Sequence, residues 1–339
     1  MVSFDTKNTE PLLNNCCICF ATDAGYLFPA LLSAIQARTH SSRSVADVVI
    51  YYFAAEPRAE EDFGNICMRE NIGFIRVGLD VIEQSQTPYA RLFLDRFVPA
   101  HYTQLLYVDS DTQIVGSLDP LIRADVPVGH FLAAADCVAF LTDEVARRSR
   151  WMRGYLDRIG CQNSDNYFNS GVLRINRNGW TAVASQAHAF CRSLPSEFNR
   201  FWDQDGLNAV AGSARLPMSL KWNFPIFMRN CRVEEQVKPI VYHFSSSPKP
   251  WNGNFPPWNQ RATLPYVELI QQYPELAQYM PSFSRIRKMK YFLQQRMKRC
   301  HETLAWGLSS RRKRILEYES LAAVRQLCSE KRATPTEPI

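Results

Sequence analysis

The chain has 339 residues, 46% hydrophobic and 21% charged, with a formal net charge of +6. That is an ordinary globular composition, with length for one large core or two domains; it excludes a disordered tail, a collagen-like fibre and a disulfide-stapled miniprotein. The longest near-apolar run, Val45 to Ala55, spans 11 residues, short of the roughly 18 a spanning helix needs.

Residues 1–15 hold Asp5, Lys7 and Glu10 and lack the basic start and apolar core of a signal peptide, so they read as a polar extension on a cytoplasmic protein. Cys16–Thr22 then reads as a strand. Its Cys16, Cys17 and Cys19 belong to a set of 10 cysteines otherwise scattered singly, with no Cys/His spacing that suggests zinc. They are expected to be small buried hydrophobes in a reducing compartment.

Further along, helix-like Tyr26–Arg38 is followed by strand-like Val45–Ala54, helix-like Arg58–Asn71 and strand-like Ile72–Val77. Tyr89–Phe97 reads as a helix and Gln104–Val108 as a fourth strand. A short strand ending near Asp136, the run Tyr167–Asn176, a helix from Trp180 to about Arg192 and a last strand Ile240–Phe244 complete the body. Ser245–Trp258 is a Pro-, Gly- and Trp-rich loop. Alternation of this kind predicts an α/β fold with a central, largely parallel sheet covered by helices. Ligands of such sheets bind beyond the carboxyl ends of the strands. No glycine-rich phosphate loop is present, so a nucleotide would need another device for its phosphates.

Asp109 and Asp111 flank Ser110 at the exit of a strand apolar on both faces. Two carboxylates there are costly without a partner, and residues i and i+2 of an extended segment point the same way. Both can reach one hard cation such as Mn²⁺ or Mg²⁺; the plain alternative is a solvated turn. His243 and Lys249 follow the last strand, where an imidazole completes a Mn²⁺ site and a lysine offers a point charge to phosphate; the alternative is a surface pair. Asp203-Gln204-Asp205 opens a helical run and reads first as a cap. Asn169 lies two residues before Gly171, a position that permits close backbone approach.

The charge is uneven. Between Arg285 and Arg314 eleven Lys and Arg face one acid, Glu302, which leaves the rest of the chain slightly acidic. Ile286, Met289, Leu293, Met297, Cys300 and Leu304 recur on one helical face. A basic amphipathic helix of this kind lies on an anionic bilayer. The alternatives are docking of the stripe on the protein's own body and, less favoured, nucleic-acid binding.

Taken in order, A-T-D (21–23), T-P-Y-A-R-L (87–92), Y-V-D-S-D (107–111), Y-F-N-S-G-V-L-R-I-N (167–176), D-Q-D-G-L-N (203–208) and H-F-S-S-S-P-K-P-W (243–251) resemble the retaining glycosyltransferases of family 8. They are most similar to bacterial enzymes that add galactose or glucose to lipopolysaccharide or lipooligosaccharide. The resemblance implies a GT-A fold over 16–284, a UDP-galactose or UDP-glucose donor, Mn²⁺ or Mg²⁺, and a glycolipid or oligosaccharide acceptor. It implies no nucleic-acid partner. It also implies that residues 285–339 attach the enzyme peripherally to the inner face of the cytoplasmic membrane. By motif, Asp109, Asp111 and His243 are the expected metal ligands. Asp109 is expected to touch ribose as well, Asp23 the uracil, and Lys249 and Ser246 the diphosphate. Arg91 is expected near the donor sugar and phosphate, Asn169, Asp203 and Gln204 along the sugar, and Asp136 near acceptor or sugar hydroxyls. The chain departs from close relatives at Gly25, where they carry Asn, and at Ser246, where they carry Gly.

The resemblance places Gln204 where a retaining hydrolase would present a carboxylate nucleophile. An amide is a weak nucleophile. This favours a same-face route in which the departing phosphate oxygen helps deprotonate the acceptor, with a covalent route through Asp203 left open. The competing readings are a glycogenin-like transferase acting on a soluble glycan or protein, and a UDP-sugar-binding protein with a degenerate site.

Overall fold

A computed structural model describes residues 14–141, 147–161, 166–195, 201–307 and 310–333. The expected extension 1–15 falls outside them except for Asn14 and Asn15, as do residues 334–339 of the C-terminal segment. The first half builds β1 (Cys16–Thr22), α1 (Leu27–Thr39), β2 (Asp47–Tyr52), α2 (Pro57–Arg69) and β3 (Gly73–Arg76). A 3-10 turn, Thr87–Phe93, leads into α3 (Leu94–Phe97) and β4 (Gln104–Val108). The continuous helix expected over Tyr89–Phe97 is thus mostly 3-10. Arg91 sends its guanidinium to Ser170 and Asp109, and these tertiary contacts override helix propensity.

Next come β5 (Thr112–Ile114), α4 (Asp119–Ile122), β6 (Phe131–Ala135), α5 (Arg147–Arg158), β7 (Phe168–Asn176), α6 (Trp180–Ser193), α7 (Asp203–Val210) and β8 (Arg215–Met218). The remainder is β9 (Phe224–Pro225), α8 (Glu234–Val237), β10 (Val241–His243), α9 (Gln260–Gln272), α10 (Arg285–Gly307) and α11 (Ser310–Ala333).

The main sheet has the order β3-β2-β1-β4-β7-β6-β8. Every neighbour pair is parallel except those made by β7, which runs against both β4 and β6. The carboxyl ends of β1, β4 and β6 therefore share an edge with the beginning of β7. Register between β6 and β7 jumps from Ala133 opposite Leu173 to Ala135 opposite Phe168. The strands part there, which leaves residues 169–171 free of β6 at that edge. A separate small sheet, β5-β10-β9, holds the last strand.

Period-two alternation sorts β1 between two cores. Ile18 and Phe20 join Leu27, Phe28 and Leu31 of α1. Cys17 and Cys19 face the other way, toward Trp180 and Ala184 of α6. The described cysteines are all free, and all but Cys137 and Cys300 are buried. Burial pushes the Cys16 thiol up to about 12. The buried cysteines are packing groups, as expected; Cys137 is half-buried and Cys300 exposed.

The C-terminal helices differ in their attachment. Ile315 and Ala322 of α11 are buried, Ile315 within the main core. The Tyr318 hydroxyl donates to Met218 O (2.7 Å) and accepts from Ala135 N (3.0 Å) and from Arg215 Nη2 (3.1 Å). Glu319 accepts from Ser219 Oγ and from Leu220 N (2.8 Å). Together they clamp the ends of β6 and β8. Tyr318→Phe strands a backbone donor and an acceptor and is expected to cost about 1–3 kcal/mol. The check is a urea midpoint that drops at constant slope; an unmoved midpoint would show that this hydroxyl braces nothing.

In α10 the face toward the body carries Glu302, which accepts from Asn230 Nδ2 (2.7 Å), and Lys298, 5.3 Å from the Phe227 ring centroid. The apolar stripe lies on the other side. Ile286 is 78% exposed and Met297 75%. Met289, Leu293, Cys300 and Leu304 are exposed as well. Self-docking of the stripe is thereby overturned: polar groups of α10 meet the body instead. Among the described residues no helix is long and apolar enough to cross a membrane.

Candidate active site

The D-S-D segment connects two sheets. Asp109 N donates to Gly171 O of β7 (2.7 Å), whereas Asp111 O accepts from Phe244 N just after β10 (2.9 Å). Ser33 of α1 donates to Thr112 O (2.5 Å) beneath the loop. Both carboxylates are therefore set by backbone pairing, and β10 delivers His243 beside them. His243 Nε2 lies 3.2 Å from Asp111 Oδ1 and 3.7 Å from Asp109 Oδ2. One ligand atom from each of the three residues falls within 4.8 Å of the others.

Gly171 makes this convergence possible. A Cβ there would run into the His243 ring and stand 2.7 Å from Asp109 Oδ2. The glycine is needed for close approach of side chains, not for its own backbone angles. Two carboxylates and an imidazole, two of them buried, form a donor set that fits Mn²⁺ or Mg²⁺.

Lys249 is buried, with Nζ 2.5 Å from Asp111 Oδ2 and 2.5 Å from Phe244 O. Burial alone would raise the Asp111 carboxyl, but Lys249 and His243 beside it hold it well below the usual range. Burial would lower His243 and Lys249, and Asp111 outweighs that in both, so each is raised.

Arg91 is the second charge centre. Nη2 donates to Asp109 Oδ1 (2.8 Å), Nε pairs with Asp203 Oδ2 (2.9 Å), and Nη1 donates to Ser170 Oγ (3.0 Å). Its guanidinium carbon lies 4.6 Å from the Tyr107 ring centroid, and Tyr107 donates to Asp109 Oδ1 (3.0 Å). Burial pushes Asp203 up to about 6, with Arg91 opposing and Asp109 adding. Asp203 opens α7 but does not cap it. The cap expected from D-Q-D is absent because this carboxylate turns to Arg91. Asp205 is fully buried and accepts from Tyr155 (2.5 Å), Tyr167 (2.6 Å) and Phe201 N (2.9 Å), a structural role.

Asp136, at the exit of β6, accepts from Asn169 Nδ2 (2.9 Å) and Gln204 Nε2 (3.4 Å) on one oxygen and from Val138 N (2.9 Å) on the other. The Gln204 carbonyl accepts from Ser170 N (3.1 Å). Asp109, Asp111, His243, Lys249, Arg91, Asp203, Gln204, Asn169 and Asp136 thus form one contiguous network. Asp23, after β1, spends its carboxylate on Gly25 N (3.0 Å) and Tyr26 N (3.2 Å) in its own turn. Ser246 sits half-buried on the loop between His243 and Lys249.

Sequence reasoning missed Asn223, fully buried just before β9. It contacts both His243 Nδ1 (2.9 Å) and Asn169 Oδ1 (2.8 Å). An Asn set between Trp222 and Phe224 was the available signal.

A twisted open sheet of this order, with an acidic pair and a histidine meeting at its carboxyl edge, defines a glycosyltransferase of the GT-A architecture. The model of Glycosyl transferase family 8 matches residues 80–254, just over half of the sequence. The chain belongs to that family. It is similar to the lipopolysaccharide glucosyltransferase WaaO of Escherichia coli K12, at 25% identity over 74% of this chain and 77% of that protein. Among solved structures, galactosyltransferase LgtC in complex with donor and acceptor sugar analogs superposes with a TM-score of 0.56 at 21% identity, over 81% of this chain and 99% of LgtC. The bifunctional glycosyltransferase WbbM gives a TM-score of 0.63 at 17% identity, over 82% of this chain but 53% of WbbM. These two likenesses establish the fold.

Proposed function

We propose that the chain is a retaining hexosyltransferase that moves galactose or glucose from a UDP-sugar to a glycan acceptor, the lipopolysaccharide or lipooligosaccharide core. The observation that carries this reading is the meeting of Asp109, Asp111 and His243 beside a second group of polar residues, Asp136, Asn169, Asp203 and Gln204. The first group would hold Mn²⁺ or Mg²⁺, which supplies positive charge against the UDP leaving group. Lys249 adds a buried charge on the same side, and Ser246 lies on the loop that carries it. Asp23, just after β1, would meet the uracil.

The second group favours the same-face route. The Gln204 oxygen, the only one its amide has, is held by the Ser170 N–H. Asp203 is tied to Arg91, so a covalent route through it would have to break a buried ion pair. Asp136 keeps a carboxylate next to Gln204, where it would accept from a sugar or acceptor hydroxyl.

Residues 16–284 would carry the chemistry. Residues 285–339 would hold the enzyme peripherally on the anionic inner face of the cytoplasmic membrane, with the exposed stripe of α10 inserted at the headgroups and its Lys and Arg at the phosphates. Full-length protein is expected to cosediment with vesicles containing anionic phospholipid, less so as salt rises, and M297E to release it. No cosedimentation, or an unaffected variant, would remove the membrane reading, and equal cosedimentation with neutral vesicles would remove its electrostatic part.

The test of the activity is incubation with Mn²⁺ and a panel of UDP-sugars without acceptor, reading UDP release. Slow hydrolysis of UDP-galactose or UDP-glucose, abolished by EDTA, is the expected result. Folded protein that binds no UDP-sugar would overturn the reading in favour of a degenerate site.

A further inference from the structure

Four side chains form a one-way line of hydrogen bonds from the three-residue cluster to the sugar-side carboxylate. His243 Nδ1 meets Asn223 Oδ1 (2.9 Å), Asn223 Nδ2 donates to Asn169 Oδ1 (2.8 Å), and Asn169 Nδ2 donates to Asp136 Oδ2 (2.9 Å). All four side chains are buried, Asn223 completely. An amide can be turned end for end, and a neutral imidazole has two tautomers, so such a line could run either way. Here one backbone group decides. The Gly171 N–H, which can only donate, also points at Asn169 Oδ1 (2.9 Å).

From that atom every assignment follows. The Asn169 oxygen faces Gly171, so its NH₂ faces Asp136. Asn223 must present NH₂ to the same oxygen, so its own carbonyl faces the imidazole. His243 must then carry its proton on Nδ1. The other nitrogen, Nε2, is left facing Asp109 and Asp111.

We propose that Asn223 is a positioning residue of the transferase: it fixes the ring orientation and tautomer of His243 so that Nε2 presents its lone pair to the cation, and it ties that ring to Asn169 and Asp136 on the sugar side. Second-sphere partners of metal-bound histidines act in this way. The proposal rests on the metal reading above. It assigns the residue a double task, one toward the cation and one toward the sugar, and two substitutions separate them. Asn223→Leu removes both hydrogen bonds at similar size. Asn223→Asp keeps an acceptor for Nδ1–H and loses the donor to Asn169.

The experiment is calorimetric titration of full-length protein with Mn²⁺ alone, together with ¹⁵N spectra of the imidazoles in Mg²⁺-saturated wild type, the His243 resonance being identified by its loss in H243N. Expected are a His243 protonated at Nδ1, Mn²⁺ affinity about 10–100-fold weaker in Asn223→Leu, and affinity near wild type in Asn223→Asp with a lower kcat. The tautomer itself is read in the wild type, with Asn223 in place, and H243N serves only to assign the resonance. A His243 protonated at Nε2, or Asn223→Leu binding Mn²⁺ as tightly as wild type, would overturn the positioning role and leave the metal reading standing. Folded wild type that binds neither Mn²⁺ nor Mg²⁺ would overturn both.

Discussion

Asp111→Asn is expected to lower kcat at least about a hundredfold, about 2.7 kcal/mol of transition-state stabilisation. The carboxylate is the shared partner of His243 Nε2 (3.2 Å) and Lys249 Nζ (2.5 Å), both buried. An amide of the same size keeps the packing and removes the charge that a cation needs from this position. Saturating Mn²⁺ is therefore expected not to restore the rate, and calorimetry should show Mn²⁺ affinity reduced in parallel. Far-ultraviolet circular dichroism, expected to stay unchanged, distinguishes a lost ligand from a lost fold. Comparable turnover in the variant with saturating Mn²⁺ would remove Asp111 from the ligand set.

The second large effect is on stability. Arg91→Met is expected to cost about 3–5 kcal/mol, the range for removing one member of a buried ion pair. Arg91 answers two carboxylates at once, Asp109 at 2.8 Å and Asp203 at 2.9 Å, so the variant leaves both without their cation. The pH dependence gives the cause away. Burial already places Asp203 at about 6, above its ordinary value of 3.8. A carboxyl raised on folding binds more protons in the native state, so its contribution is most favourable below the unfolded value and is lost as pH rises through the folded one. Loss of Arg91 raises the folded value further. The Asp203 part of the deficit should vanish below about pH 6, where the carboxyl is protonated with or without Arg91, and grow as pH rises from there toward the variant's own raised value. Urea midpoints across that range check it. A deficit that is flat with pH would assign the loss to packing, and one under about 1 kcal/mol would mean the pair is solvated.

Much of the site could be read from the sequence because its residues conflict with their surroundings. Asp109 and Asp111 follow an apolar strand, His243 closes another and Lys249 comes soon after it, so each looked costly where it stood. Gly171 was readable as a close approach, although what it approaches, the His243 ring and the Asp109 carboxylate, depends on three strands meeting. Arg91 is a different case. The resemblance put it near the donor sugar and phosphate, but nothing in T-P-Y-A-R-L-F shows it buried between two aspartates. Periodicity marked an apolar stripe on α10 but had no information on which way it faces; the Asn230–Glu302 contact on the opposite side decides that. The direction of β7 was invisible, because a strand buried on both faces reads the same forwards and backwards. Asn223 was hidden for a related reason: its two partners come from segments 20 and 54 residues away.

The reversal of β7 also fixes which strands depend on which for a place in the main sheet. β1 to β4 can pair among themselves as the chain emerges, since β3-β2-β1-β4 needs nothing beyond Val108. The next strand of the main sheet in sequence, β6, has no seat there, because its place is beside β7 and not beside β4. It must wait for Phe168–Asn176 to add to β4, and β8 in turn must wait for β6. The edge that carries Asp136 is thus built outward from the centre and is closed last by Tyr318, over 180 residues downstream of the Ala135 amide it caps. Contacts of that sequence separation form slowly. Chains that lack α11 would hold the acidic pair at the end of a formed parallel sheet while the strand end that carries Asp136 lacks its brace from Tyr318.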